Sequence, residues 1–228
     1  MAILAIGSPK GGVGKTTTAT HIAAITTQVH GRRTLLVDTD PTRSTLDWVE
    51  EGQFSGLDFA DGRDFNDLHG VREHEDRYDL IVIDFPQTSP PALHAMLGEP
   101  GAYIADALLV PSPPELMDLT PIIRMIETGL PIPYLLAITR AGTAGMKTSA
   151  TGAPGRVLDL QKQLRDDYEF QVADTIIAER RTPYRSARER MTSVLNIGGP
   201  KTLAARAAES EYRNLTREAF ALVGLATR

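Results

Sequence analysis

The chain has 228 residues, 42% hydrophobic and 23% charged, with a formal net charge of −5: the balance of a soluble globular protein with room for one sizeable core. It contains no cysteine, which excludes a disulfide framework, a thiolate zinc site and a cysteine-ligated iron–sulfur cluster, and fits a reducing cytosol. No apolar run is long enough for a membrane span, and the N-terminal AILAI lacks a basic leader and a cleavage site, so it reads as a strand.

In chain order, short apolar runs alternate with helical stretches. AILAIG predicts a strand, and KTTTATHIAAITTQVH a helix that opens at a glycine-rich loop. RTLLVDTD predicts a second strand ending in carboxylates, and STLDWVEEG a short helix with Ser44 as its N-cap. YDLIVIDFP, ADALLVPSPPE and IPYLLAITR are three further strands, apolar enough to be buried on both faces. PELMDLTPIIRMIETG and RVLDLQKQLRDDY predict helices, with Pro121 expected to bend or restart the first. AGTAGMKTSATGAPG, residues 141–155, reads as a flexible loop after a strand end, on a plain surface or beside a nucleotide or partner. After Pro200 a long terminal helix is expected. The alternation predicts an α/β fold: a mostly parallel sheet flanked by helices on both faces. Neither an internal repeat nor a domain boundary interrupts it, so residues 1–228 are expected to form a single domain.

The chemistry concentrates in KGGVGKTT, Lys10 to Thr17. Glycines let a backbone wrap phosphates with its N–H groups pointing inward, and a following helix adds the positive end of its dipole. Lys15 is placed for the β- and γ-phosphates, and Thr16 offers a hydroxyl to Mg²⁺. The strand–loop–helix context separates this motif from a mere tight turn. Pro9 replaces the first glycine of the common phosphate-loop pattern, however, and a second lysine, Lys10, precedes the glycines. Lying at the other end of the loop, Lys10 is badly placed to repeat the work of Lys15 and could reach outward to a mirror-related partner.

K-G-G-V-G-K-T-T resembles the deviant Walker A motif of the ParA/MinD family of ATPases, P-loop NTPases of the SIMIBI type. VDTDPT resembles the family's second motif, with Asp38 and Asp40 as its two aspartates. YDLIVIDFPQ resembles the Walker B strand, with Asp84 at its end, and EYRNLTREAF the terminal helix of partition ATPases. Thr42 stands where the family usually has Gln, and Gln87 where a second proline is common. The chain starts at the first strand, like small ParA/ParF-type members without an N-terminal helix-turn-helix domain.

The resemblance implies ATP and Mg²⁺ as cofactors, with the nucleotide held by Lys10, Gly11, Gly12, Val13, Gly14, Lys15, Thr16 and Thr17. It implies a homodimer with ATP sandwiched, Lys10 crossing to the partner's nucleotide, and Asp40 orienting or activating the attacking water. Thr16 would bind the metal directly, with Asp84 and Asp38 behind it. Strand-end capping is the alternative role for Asp38 and Asp40. Thr139 and Arg140 end a strand and are assigned to the adenine. The stiff PSPPELMD segment resembles the proline-containing loop near the nucleotide in ParF-like proteins. No arginine finger is evident within the chain, so hydrolysis is expected to be slow until a ParB- or ParG-like partner protein stimulates it.

Charge is unevenly spread. Residues 1–175 carry 14 Lys+Arg and 24 Asp+Glu, whereas residues 176–228 carry 10 and 5. The basic end contains Arg180, Arg181, Arg185, Arg188 and Arg190, then Lys201, Arg206, Arg213 and Arg217. This patch is assigned to non-specific DNA, without base reading. Salt bridges to Glu179 and Glu189 are the alternative. The expected protein is a cytoplasmic, nucleoid-associated ATPase that partitions a plasmid, a chromosome origin or a protein assembly. A MinD-like membrane cycle is the competing reading; LTREAFALVGLATR has too few basic residues for it and is expected to pack on the sheet. A small-molecule enzyme on the same scaffold is a third, disfavoured by Lys10 and the D-x-D-P segment.

Overall fold

A computed structural model describes residues 1–62, 68–142, 155–197 and 201–226; the side chains of 68, 69 and 181 lie outside that description. The loop expected at 141–155 falls almost wholly outside the described residues. Six strands form one sheet: β1 (Ala2–Ile6), β2 (Thr34–Asp38), β3 (Leu57–Asp61), β4 (Leu80–Asp84), β5 (Ala107–Ser112) and β6 (Tyr134–Ile138). Their order is β3-β2-β4-β1-β5-β6, and every pairing is parallel. The helices are α1 (Lys15–Gln28), α2 (Ser44–Glu50), α3 (Pro90–Leu97), α4 (Leu116–Glu127), α5 (Gly155–Asp166), α6 (Arg181–Glu189) and α7 (Leu203–Leu222), with a 3₁₀ segment at Leu68–Arg77.

β1, β2 and β4 are buried along their whole length, as uninterrupted apolar runs require. Alternate residues of β1 serve opposite faces. Leu4 and Ile6 join a core with Ile22 and Ile25 of α1 and Tyr212 and Phe220 of α7. Ile3 and Ala5 join a second core with Leu93 of α3, Ile122 of α4 and Val157 of α5. The terminal helix is therefore a packing element: Leu215 and Phe220 are fully buried, while Leu222, Val223 and Leu225 lean on the same core.

β3 and α3 were not expected from sequence, and two local expectations are revised. Ser44 is not the cap of α2: the N-cap residue is Arg43, with a left-handed φ of 55° and no side-chain cap bond. Instead Oδ2 of Asp38 accepts from the backbone N–H groups of Thr45 (2.9 Å) and Leu46 (3.0 Å). α4 runs through Pro121 without restarting. Pro111 is tolerated inside β5 because β1 pairs with β5 only as far as Leu109.

Candidate nucleotide-binding site

β1 delivers the chain to the glycine loop at the carboxyl edge of the sheet, where ligands of open α/β folds bind. Gly12 and Gly14 take φ of 71° and 94°, which a side chain would resist, and α1 starts directly after Gly14. The hydroxyl of Thr139 donates to the carbonyl of Val13 at 2.8 Å, and Nη1 of Arg140 donates to the carbonyl of Gly12 at 2.7 Å. These two residues, assigned from sequence to the adenine, thus brace the loop. A Cβ on Gly11 would lie 2.1 Å from Oε1 of Gln87, so glycine there lets Gln87 close over the loop. Lys15 is buried, its Nζ 3.5 Å from the carbonyl oxygen of Lys10. Burial lowers its pKa, and the charges of Asp84 and Asp40 oppose that shift.

The carboxylates converge from neighbouring strand ends, Asp38 of β2 standing opposite Asp84 of β4. Oδ2 of Asp84 accepts from the hydroxyls of Thr16 (2.8 Å) and Thr45 (2.6 Å). Its Oδ1 is buried without a hydrogen-bond partner. Burial raises the Asp84 pKa to about 7, against hydrogen bonds from Thr45 and Thr16. An orphaned carboxylate oxygen beside a threonine hydroxyl is a hard donor set that fits Mg²⁺. Among the described residues no group of three or more His, Cys, Asp or Glu could hold a metal alone, so Thr16 and Asp84 would supply only part of the shell of a bound Mg²⁺. Asp38 is committed elsewhere: besides capping α2, it accepts from the N–H of Asp40 at 2.9 Å. Burial raises its pKa too. Asp40 is steadied by Thr42, whose N–H (2.9 Å) and hydroxyl (2.8 Å) both donate to Oδ1.

Two cavities meet at the loop. One, of about 330 Å³, is lined by Lys15, Thr16, Asp40, Gln87 and Arg188. The other, of about 260 Å³, is lined by Thr139, Ile177, Arg180, Tyr184 and Tyr212. Gly12, Gly14 and Thr17 line both. The first has the polar groups a polyphosphate needs. The second has the aromatic and aliphatic walls a base needs, as ligand pockets generally do.

The sequence model of the CobQ/CobB/MinD/ParA nucleotide binding domain matches residues 4–203. The chain belongs to this ParA/MinD family. It is 31% identical over 220 residues to the maintenance of carboxysome distribution protein A of Gloeobacter kilaueensis, covering 95% of this chain and 93% of that one. Its fold is similar to that of apo McdA from Cyanothece, with a TM-score of 0.70 at 18% identity, covering 96% and 99% of the two chains. It is also similar to the septum site-determining protein MinD of Pyrococcus horikoshii, solved with Mg-ADP, with a TM-score of 0.62 at 19% identity, covering 98% and 99%.

Further features of the site lie around the loop. Nζ of Lys10 sits 3.0 Å from Oδ1 of Asp118 on α4, with 44% of its side chain exposed. Lys10 is thus outside the phosphate cavity. PSPPELMD reaches the site through this ion pair. The basic C-terminal residues do not form one bare patch. Arg180 makes two 2.6 Å bonds to Glu211 and lines the base-side cavity, so it is withdrawn from a DNA surface. Arg188 lines the phosphate cavity. Arg185 pairs with Glu189 at 2.6 Å, Arg190 donates to the carbonyl of Ile197, and Lys201 and Arg213 share Glu209. Glu179 pairs with Arg140. The side chain of Arg181 lies outside the described residues. Sequence reasoning did not assign Thr45, Gln87 or Arg188 to the site. Only Gln87, by departing from the family pattern, carried a signal.

Proposed function

We propose that the protein is an ATP-hydrolysing positioning ATPase of the ParA type, working as a homodimer that closes on two ATP molecules. The separation of the two lysines carries this reading: Lys15 lies within the phosphate cavity, whereas Lys10 is outside it and half-exposed. Lys10 leaves Asp118 and reaches the partner's phosphates on dimerisation. Thr16 and the free oxygen of Asp84 would hold Mg²⁺, which would supply positive charge to the phosphate oxygens. Lys15 neutralises further charge, and Asp40, fixed by Thr42, orients the water that attacks the γ-phosphorus, yielding ADP and phosphate.

The dimer binds non-specific DNA through exposed cations of α6 and α7, and so associates with the nucleoid. The full-length similarity to a carboxysome distribution protein favours a large protein assembly as cargo over a plasmid. A partner protein on that cargo stimulates hydrolysis, and the intrinsic rate is slow. Use of the apolar face of α7 inside the core argues against a MinD-like membrane cycle. Among the described residues no helix is long and apolar enough to cross a membrane.

The test is binding to non-specific duplex DNA with ATP, ADP or no nucleotide over a salt series. Wild type is expected to bind with ATP only. Lys10→Ala and Lys15→Gln are expected to abolish binding, and Asp40→Ala to retain it while losing turnover. ATP-dependent dimerisation without DNA binding in any state refutes the DNA step.

A further inference from the structure

We propose that Arg188 binds the terminal phosphate of the nucleotide from within the same chain; this rests on the ATPase reading above. α6 contributes Tyr184 to the base-side cavity and Arg188 to the phosphate-side cavity. The two are four residues apart, and so lie on one face of a helix, separated by about 6 Å along its axis. α6 therefore runs along the site from base to phosphate.

Arg188 differs from its neighbours. Arg180, Arg185 and Arg190 are each engaged by Glu211, Glu189 or the carbonyl of Ile197. Among the described residues the exposed Arg188 side chain has neither a hydrogen bond nor an ion pair, and it shares its cavity with Lys15, Thr16, Asp40 and Gln87. Lys15 and Thr16 serve the β/γ end of a nucleotide in such loops, which assigns Arg188 to that end. A guanidinium there can grip a phosphate with two parallel hydrogen bonds, a geometry that lysine lacks. The same contact would make α6, with its other arginines, sensitive to whether ATP or ADP is bound.

The experiment compares ATPγS and ADP affinities, by calorimetry with Mg²⁺, for wild type, Arg188→Ala and Arg188→Lys, alongside non-specific DNA binding. Arg188→Ala is expected to weaken ATPγS by about tenfold or more, the size of a lost charged hydrogen bond, while ADP changes by less than about twofold. Arg188→Lys should recover part of the loss, and it serves as the comparison should the alanine variant fold poorly. Equal losses for both nucleotides overturn the proposal. So does unchanged nucleotide affinity, with or without weaker DNA binding. A wild-type chain that binds neither nucleotide overturns the ATPase reading and this inference with it. A wild type that binds both, with Arg188→Ala indistinguishable from it, overturns this inference alone.

Discussion

His21 gives the sharpest test of the packing beneath the loop. It lies on α1, fully buried. Its Nδ1 is 2.7 Å from the carbonyl of Thr17, and its Nε2 accepts from the N–H of Val194 at 3.2 Å. The ring stacks on Tyr212, with centroids 4.6 Å apart, and meets Trp48 and Tyr184 edge-on. None of these neighbours is charged, since burial pushes both phenols up. Nδ1 therefore carries the proton, and burial lowers the pKa from 6.5 to about 4. Because the folded state disfavours protonation, the stability is fully present above pH 6.5 and lost as pH falls towards 4. A shift of that size corresponds to about 3 kcal/mol in all, of which about 2 kcal/mol is gone by pH 5. That is a large share of the roughly 5–15 kcal/mol typical of a folded chain. Urea unfolding at pH 7.5 and pH 5, for wild type and His21→Phe, isolates this contribution. The phenyl ring preserves the stack but strands Val194 N–H, so its baseline falls by roughly 1–3 kcal/mol; the readout is the difference in slope. Equal slopes in the two proteins, or a His21 imidazole that titrates near 6.5 by NMR, would refute the reasoning.

Thr45→Val removes a buried 2.6 Å hydrogen bond to Asp84 and should destabilise the protein by roughly 2 kcal/mol, measured by urea unfolding. Nucleotide affinity in Mg²⁺ should fall with it, because Asp84 loses one of its two orienting hydroxyls. Glu211→Ala strands Arg180, whose side chain is only 17% exposed; a loss of roughly 2–3 kcal/mol is expected, less than for a fully buried pair, and unchanged stability would mean that water reaches Arg180. Glu209→Gln frees Lys201 and Arg213. It should tighten ATP-dependent DNA binding and steepen the log–log salt dependence by roughly 0.9 for each new phosphate contact; an unaltered slope places the DNA surface elsewhere.

Legibility followed local signal. β1, β2 and β4 could be read because strands buried on both faces are continuous apolar runs. β3 could not: LDFAD pairs only with β2, at the sheet edge, and its second and third residues, Asp58 and Phe59, are exposed. α3 was missed despite a start signal, Ser89 capping the N–H of Ala92 ahead of Pro90. The phosphate loop was legible because its residues are contiguous. The cap of α2 was not, since Asp38 acts from seven and eight residues away and so replaces the Ser44 that spacing favoured. Arg188 was the hardest. A run of arginines announces charge but not direction, and only the phase of α6 against the loop places exposed Arg188 at the edge of the phosphate cavity.

That division of the basic end bears on how a net-acidic chain could hold DNA only when ATP is bound. In the single protomer Glu189 pairs with Arg185, Glu209 is shared by Lys201 and Arg213, and Glu211 takes Arg180. A phosphate contact to any of these four cations must therefore displace an intramolecular carboxylate, so one protomer gains little from those exchanges. Only the Arg185–Glu189 pair is fully on the surface and weak; the other three are part-buried and give way less readily. Two protomers fixed on one duplex sum their contacts and lose translational freedom only once. Nucleotide control then needs no reshaped DNA surface. On the proposed function it would need only the dimer, and the dimer would need Lys10 to leave Asp118 for the partner's phosphates.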